Sequence, residues 1–299
     1  MLDEFKNAFQ RPNNAHVQLI FINVLVFMVL AVFYVFSTAF GFSPFFESIH
    51  AQLAIPAPFF SFIAKPWTII TYSFVHDLTG IFHILFNMLV FYWFGKIFIE
   101  YLGSDKLVAV YVLGALAGGV SYLLVYNTIP FYTERIPIHG MVGASAAVYA
   151  VLVATATLLP DYTFFLLFLG PVRIKYIALA YIVISFLGSV GGNAGGNVAH
   201  LGGALIGFVY IKQMQVGVNW GGWITSTIDW IGGLFSTRSK VKVTYRSTDA
   251  KSKSAKTASG PAKASQEEID SILDKISDRG YESLSKEEKE KLFNASKKQ

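Results

Sequence analysis

Residues 143–159 read GASAAVYAVLVATATLL, a charge-free run that opens on a glycine and a serine. Crossing a hydrocarbon core of about 30 Å takes about 20 apolar residues, so this run is short for a span yet apolar enough to be one. On a helix Ser145 and Tyr149 share a face, and Ala146, Ala150 and Ala154 form a stripe of small side chains beside it. A hydroxyl placed in hydrocarbon costs free energy unless something satisfies or uses it, which makes Ser145 the residue to explain.

A second stretch, residues 197–203, reads NVAHLGG and sets His200 near the start of another apolar run. His200, Gly203 and Gly207 lie at i, i+3 and i+7, so the face that carries the imidazole has no bulk below it and a partner helix can approach. If the two runs meet through these faces, His200 can accept the proton of the Ser145 hydroxyl, the activation that a serine nucleophile needs. Tyr149, one turn deeper, is placed to stack on the ring. A conventional triad would add a carboxylate, but between Asp105 and Asp229 the acids are Glu134, in an expected external loop, and Asp161, at the opposite surface. The pattern points to a Ser-His dyad whose imidazole is oriented by packing and polar neighbours. Ordinary small-residue packing with an incidental serine and histidine is the plainer reading of either motif alone.

The rest of the chain puts these runs in a membrane. It has 299 residues, 54% hydrophobic and 14% charged, with a mean hydropathy of +0.49, too apolar for an ordinary soluble domain. Six stretches qualify as spans: Val17 to Phe40, Ile81 to Leu102, Leu107 to Tyr126, Gly143 to Leu159, Tyr176 to Val190, and Val198 to Met214. The first is longer than a signal-peptide core and lacks a cleavage site of small residues, so it reads as a retained span. The connection from Gly41 to Gly80, with Pro44, Pro56, Pro58 and Pro66 among many aromatics, is expected to pack on the membrane surface. The chain has no cysteine, which excludes disulfides, thiolate catalysis and cysteine-ligated metal. The pI of about 9.1 comes from residues between spans and in the tail, so the partner of this charge is the lipid bilayer and not nucleic acid.

Orientation follows from the same residues. Lys6, Arg11, Lys96, Lys106, Arg173, Lys175 and Lys212 fall on one side, against Lys65 and Arg135 on the other, which puts both termini in the cytoplasm. Spans two, four and six then run from outside to inside, and His83, Ser145 and His200 share a depth. His83 and Asn87 are four apart on one face of span two; both can donate hydrogen bonds to an oxyanion, together with the backbone N–H of Ser145.

Past Met214 the character changes. Residues 217–264 combine an amphipathic stretch carrying Trp220, Trp223 and Trp230, suited to the headgroup region, with a basic linker expected to be disordered. Residues 265–299 read as a helical hairpin. Ser265 with Glu268 and Ser285 with Glu288 have capping-box spacing, Ile269, Ile272, Leu273 and Ile276 form an apolar face, and Gly280 is a stop. So small a core calls for docking on a partner, here unknown, or on the membrane domain.

Taken together, His83-Ile-Leu-Phe-Asn87, Gly143-Ala-Ser145 with Tyr149, and Asn197-Val-Ala-His200-Leu-Gly-Gly203 with Gly207 resemble the rhomboid intramembrane serine proteases of bacterial type. The resemblance covers about residues 17–214. It implies an all-α membrane fold, a six-helix bundle over residues 1–216, with no metal or cofactor. It implies Ser145 as nucleophile, His200 as base and His83 and Asn87 as oxyanion donors, supported by Tyr149, Gly143, Asn197 and Gly203. It further implies cleavage of single-span transmembrane protein substrates near the external face, a bacterial inner membrane location, and a mobile fifth span. Two departures stand out: the family's usual glycine after the serine is Ala146 here, and its usual Trp-Arg in the first loop reads Trp67-Thr68. The tail hairpin is similar to an accessory module of some bacterial rhomboids. A catalytically silent rhomboid-like protein that binds membrane clients is the alternative, and such relatives usually lack the serine or histidine that this chain retains. A transporter would carry ionisable residues in several spans, a pattern that is weak here.

Overall fold

The structure, a computed structural model, describes residues 13–137, 139–166, 170–235 and 266–296. The chain divides into two units, residues 1–238 and 239–299. The polar segment 1–12, the basic linker 236–264 and the Ser265 cap lie outside the described residues.

The first unit is a helical membrane bundle. Helices α1 (Ala15–Ala39), α2 (Ser43–Leu53), α3 (Ile81–Leu102), α4 (Ser104–Thr128), α5 (Ser145–Leu158), α6 (Ile174–Gly188), α7 (Ala194–Gln215) and α8 (Gly222–Phe235) follow in order. Of these α1, α3, α4 and α7 are long and apolar enough to cross a membrane, while α5 and α6 are shorter apolar helices. Gly103, at φ +81°, makes the tight junction between α3 and α4 that a side chain would strain.

Helix α5 is the centre of the bundle: every residue from Ala146 to Ala156 is buried. Its small stripe makes this possible. A Cβ at Gly114 or Gly118 of α4 would overlap the methyls of Ala150 and Ala146, and one at Gly203 or Gly207 of α7 would overlap the carbonyl oxygens of Ala146 and Ala150. Backbones on both sides of α5 therefore approach more closely than any side chain would allow, and packing in place of hydrophobic transfer holds them. By contrast α1 and α6 are peripheral. Leu25, Val29, Val32 and Val35 of α1, and Leu179, Ile184 and Leu187 of α6, are half or more exposed, as lipid-facing residues are. A buried polar pair still ties α1 inward, where Asn23 Nδ2 donates to the Tyr111 hydroxyl of α4 at 3.1 Å.

The connection from Gly41 to Gly80 carries α2 and three short helical turns, and part of it enters the bundle. Ile55, Tyr72, Val75 and His76 are buried, and the Tyr72 hydroxyl donates to the Ala115 carbonyl of α4 at 2.7 Å, which satisfies it inside the bundle. Within the loop Trp67 Nε1 donates to the Gln52 carbonyl at 2.8 Å, Thr68 Oγ1 to the Lys65 carbonyl at 2.6 Å and the Lys65 ammonium to the Ala51 carbonyl at 3.1 Å. Between α5 and α6 there is also an unforeseen antiparallel hairpin of β1 (Thr163–Leu166) and β2 (Gly170–Arg173), with Phe164 opposite Val172. Its continuous apolar run has no period-2 alternation to announce a strand. Asp161 pairs with Arg173 at 3.1 Å and Lys175 at 2.7 Å at its base.

Helix α8 exposes Trp223, Ile228, Trp230 and Ile231 and buries Ile224. In the second unit α9 (Gln266–Arg279) and α10 (Lys286–Ser296) enclose a small core with Ile272 and Leu284 buried, while Leu273 faces out instead of joining the apolar face. The Ser285 N–H donates to Glu288 Oε2 at 2.7 Å and the Glu288 N–H to Ser285 Oγ at 3.2 Å, a reciprocal capping box. Gly280, at φ +77°, ends α9.

Candidate active site

Ser145 is the first residue of α5, and the approach to it is built by Gly143. Gly143 sits at φ +135° with its N–H on the Tyr72 carbonyl at 3.0 Å. A Cβ there would be strained and would stand 3.2 Å from His83 Cε1 and 3.5 Å from Ser145 Oγ. Glycine at 143 thus lets the His83 ring lie beside the serine. Because α5 begins at Ser145, the first backbone N–H groups of the helix have no carbonyl one turn back and point toward the same space.

His200 comes from α7, whose Gly203 and Gly207 bring its backbone onto α5. Its Nε2 lies 2.7 Å from Ser145 Oγ. The Tyr149 ring stacks on the imidazole, centroids 4.3 Å apart and planes 13° from parallel. The other ring nitrogen, Nδ1, meets Ser185 Oγ of α6 at 3.1 Å. Ser185 donates in turn to the Tyr149 hydroxyl at 2.8 Å, and that hydroxyl reaches the Tyr181 carbonyl at 3.4 Å. Ser185 and Tyr181 were missed in the sequence. The signal was there: among the residues of α6 that pack inward, Ile174, Ala178 and Ser185, only the last is polar, and the cost argument that singles out Ser145 applies to it equally.

Ser145, Gly143 and His83 line a cavity of about 700 Å³, walled further by Tyr122, Tyr126, Tyr132 and the glycines around Asn193. Asn87 lies below His83, buried and outside the cavity lining, with Nδ2 donating to the His83 carbonyl at 2.9 Å. Asn197 joins α7 to the end of α6, its Nδ2 within 3.0 Å of the Gly188 carbonyl. Gly203 serves as the contact point of α7 on the Ala146 carbonyl. Asp77 is a carboxylate on the cavity wall. Although burial opposes it, hydrogen bonds from the N–H and hydroxyl of Thr79, at 2.9 and 2.7 Å, hold its carboxyl below the usual range. Nδ1 of His200 is taken by Ser185 instead of a carboxylate, so the imidazole is held by a neutral partner. His76, fully buried beside His83 at 5.7 Å between rings, is pushed down to about 4 by burial and stays neutral.

Chemically, a bare Nε2 at hydrogen-bond distance from a serine hydroxyl can take its proton, and a helix N-terminus beside that oxygen suits a developing negative charge. Residues 64–214 match the family model described as Rhomboid domain, and residues 262–298 match one described as a family of unknown function (DUF6576). The chain is 32% identical over 160 residues to "RHOMBOID-like protein 12, mitochondrial" of Arabidopsis thaliana, covering 50% of this chain and 47% of that one. It is 28% identical over 162 residues to "Rhomboid-like protein 16, chloroplastic" of Arabidopsis thaliana, covering 50% and 49%. Against "Presenilin-associated rhomboid-like protein, mitochondrial" of Mus musculus it is 32% identical over 137 residues, covering 44% and 34%. The chain thus spans about half or less of the length of the relatives it matches. With this match across the bundle that brings Ser145 and His200 together, the chain belongs to the rhomboid family.

Proposed function

We propose that this protein is an intramembrane serine endopeptidase. The observation that carries the reading is the 2.7 Å contact between His200 Nε2 and Ser145 Oγ at the wall of a cavity large enough for a peptide segment. Ser145 Oγ attacks the scissile carbonyl carbon as its proton passes to His200 Nε2. The carbonyl oxygen becomes an oxyanion, met by the Ser145 N–H and by His83 and Asn87, each donor worth about 3 to 4 kcal/mol in the transition state. His200 returns the proton to the leaving amine as the C–N bond breaks, and water, activated the same way, then hydrolyses the acyl-enzyme. Asn87 serves once its amide turns from the His83 carbonyl toward the cavity. No metal or cofactor enters this scheme.

The substrate is a single-span transmembrane protein. An intact helix hides its carbonyls in i to i−4 hydrogen bonds, so the cleaved segment contains small or helix-breaking residues. The location is a bacterial inner membrane, with the basic loops and both ends of the sequence in the cytoplasm and the cavity open to the external side. Support for this orientation comes from the charge bias of the loops. The unit at residues 266–296 binds a partner of its own.

Cleavage of a transmembrane reporter by the purified protein in lipid tests the reading, with Ser145→Ala and His200→Ala as controls. The wild type cuts and both variants fail. Equal behaviour of all three would sink the enzyme and leave a client-binding protein.

A further inference from the structure

Neutral imidazole has one proton and two places to put it, and a general base toward Ser145 requires it on Nδ1, leaving Nε2 bare. In a triad a carboxylate enforces that choice, because it can only accept. Here the group against Nδ1 is a hydroxyl, which can donate or accept and so enforces nothing by itself. What removes the ambiguity is the rest of the chain of bonds. The Tyr181 carbonyl can only accept. It takes the Tyr149 proton, the Tyr149 oxygen then accepts the Ser185 proton, and Ser185 Oγ is left facing Nδ1 with lone pairs alone. Reversing the series would put two donors or two acceptors face to face at one of its links. Burial closes the alternatives, since Ser185 is wholly inaccessible and Tyr149 nearly so, and water cannot supply a substitute partner.

We propose that Ser185 is a positioning residue that, with Tyr149 and the Tyr181 carbonyl, fixes His200 as the Nδ1–H tautomer and so replaces the carboxylate of a triad. Its catalytic consequence rests on the protease reading above; its structural content does not. Tyr149 then has two separable duties, its ring face holding the plane of the imidazole and its hydroxyl setting the polarity of Ser185. The arrangement also makes α6 part of the site, because Ser185 and Tyr181 are both carried on that helix. The dyad is therefore built from α5 and α7 and held by α6, which supplies no reacting atom.

Nitrogen-15 NMR of histidine-labelled full-length protein in bicelles reads the tautomer directly, with the His200 signals assigned by their loss in His200→Ala. The wild type shows a protonated Nδ1 and a bare Nε2. Ser185→Ala shows a mixture of tautomers and loses reporter cleavage about tenfold, the scale of one neutral hydrogen bond. Ser185→Thr, which keeps the hydroxyl, restores both. Tyr149→Phe keeps the ring stack but frees the Ser185 proton to point at Nδ1; it shifts the tautomer toward Nε2–H, and the double variant is no worse than Ser185→Ala. Thermal melting of each variant separates these effects from misfolding, and Ser185→Thr and Tyr149→Phe keep the test decisive if Ser185→Ala does not fold. A wild type protonated on Nε2, or a Ser185→Ala or Tyr149→Phe protein with unchanged tautomer and rate, overturns the proposal. A tautomer that depends on Ser185 in a protein that cleaves nothing would overturn proteolysis and leave the positioning role standing.

Discussion

The Ala146 methyl fills the space that Gly118 leaves open: a Cβ at Gly118 would overlap it and would also stand 2.9 Å from the Tyr72 hydroxyl. The extra carbon beside the serine, where the family usually has glycine, is thus absorbed by a glycine on the neighbouring helix. Gly118→Ala is expected to destabilise the bundle by about 1–3 kcal/mol through overpacking. Ala146→Gly combined with it recovers part of the loss, the contacts with the Tyr72 hydroxyl and, at 3.1 Å, the Ala199 carbonyl accounting for the remainder. Thermal unfolding of the four proteins in one detergent measures the coupling.

Gly203 and Gly207 are less forgiving, because a Cβ there meets the carbonyl oxygens of Ala146 and Ala150, which cannot rotate away as a side chain can. Gly203→Ala should cost at least the upper end of the usual overpacking range, about 3 kcal/mol, by forcing α7 off α5. His200 moves with α7. Reporter cleavage is expected to disappear even at temperatures where the variant remains folded.

His76 gives the fold a slope against acid. Buried neutral, it titrates near pH 4, below its unfolded value of 6.5, so between these values the unfolded chain binds more protons. Its contribution is intact above pH 6.5 and is lost as pH falls toward 4, by about 3 kcal/mol at the limit. Denaturant unfolding of wild type and His76→Gln across this window should show the wild type losing more stability on acidification. Parallel curves would refute the assignment.

The orientation can be read chemically, since the chain has no cysteine to interfere. Asp105 and Thr133 are both exposed, one beside the turn at Gly103 and the other beyond the far end of the same helix. In intact cells Thr133→Cys should react with a membrane-impermeant maleimide and Asp105→Cys only after permeabilisation. The reverse pattern would invert the proposed topology.

Much of the bundle was legible because charge-free runs of span length have one economical solution, and because a small-residue stripe at i and i+4 states where helices touch. Ser145, His200 and Tyr149 could be read together for the same reason, their offsets placing them on facing surfaces. Asn87 shows the limit: its spacing from His83 puts it on the right face, but where its amide points is set by competition with the His83 carbonyl, a local bond that no spacing reports. Ser185 was passed over because its partners are 36 and 15 residues away and meet it only after α6 packs. The 163–173 hairpin was hidden by continuous apolarity, and the inward turn of the loop at Tyr72 by a hydroxyl that looks costly until the Ala115 carbonyl is seen opposite it.

The central claim is that Ser145 is a nucleophile activated by His200. Reaction of the protein in lipid with a fluorophosphonate, followed by mass spectrometric location of the adduct, tests it most directly. The account predicts a single adduct on Ser145 that is lost in Ser145→Ala and reduced to background in His200→Ala. Absence of labelling in the wild type, or labelling of Ser145 that is indifferent to His200, would contradict it.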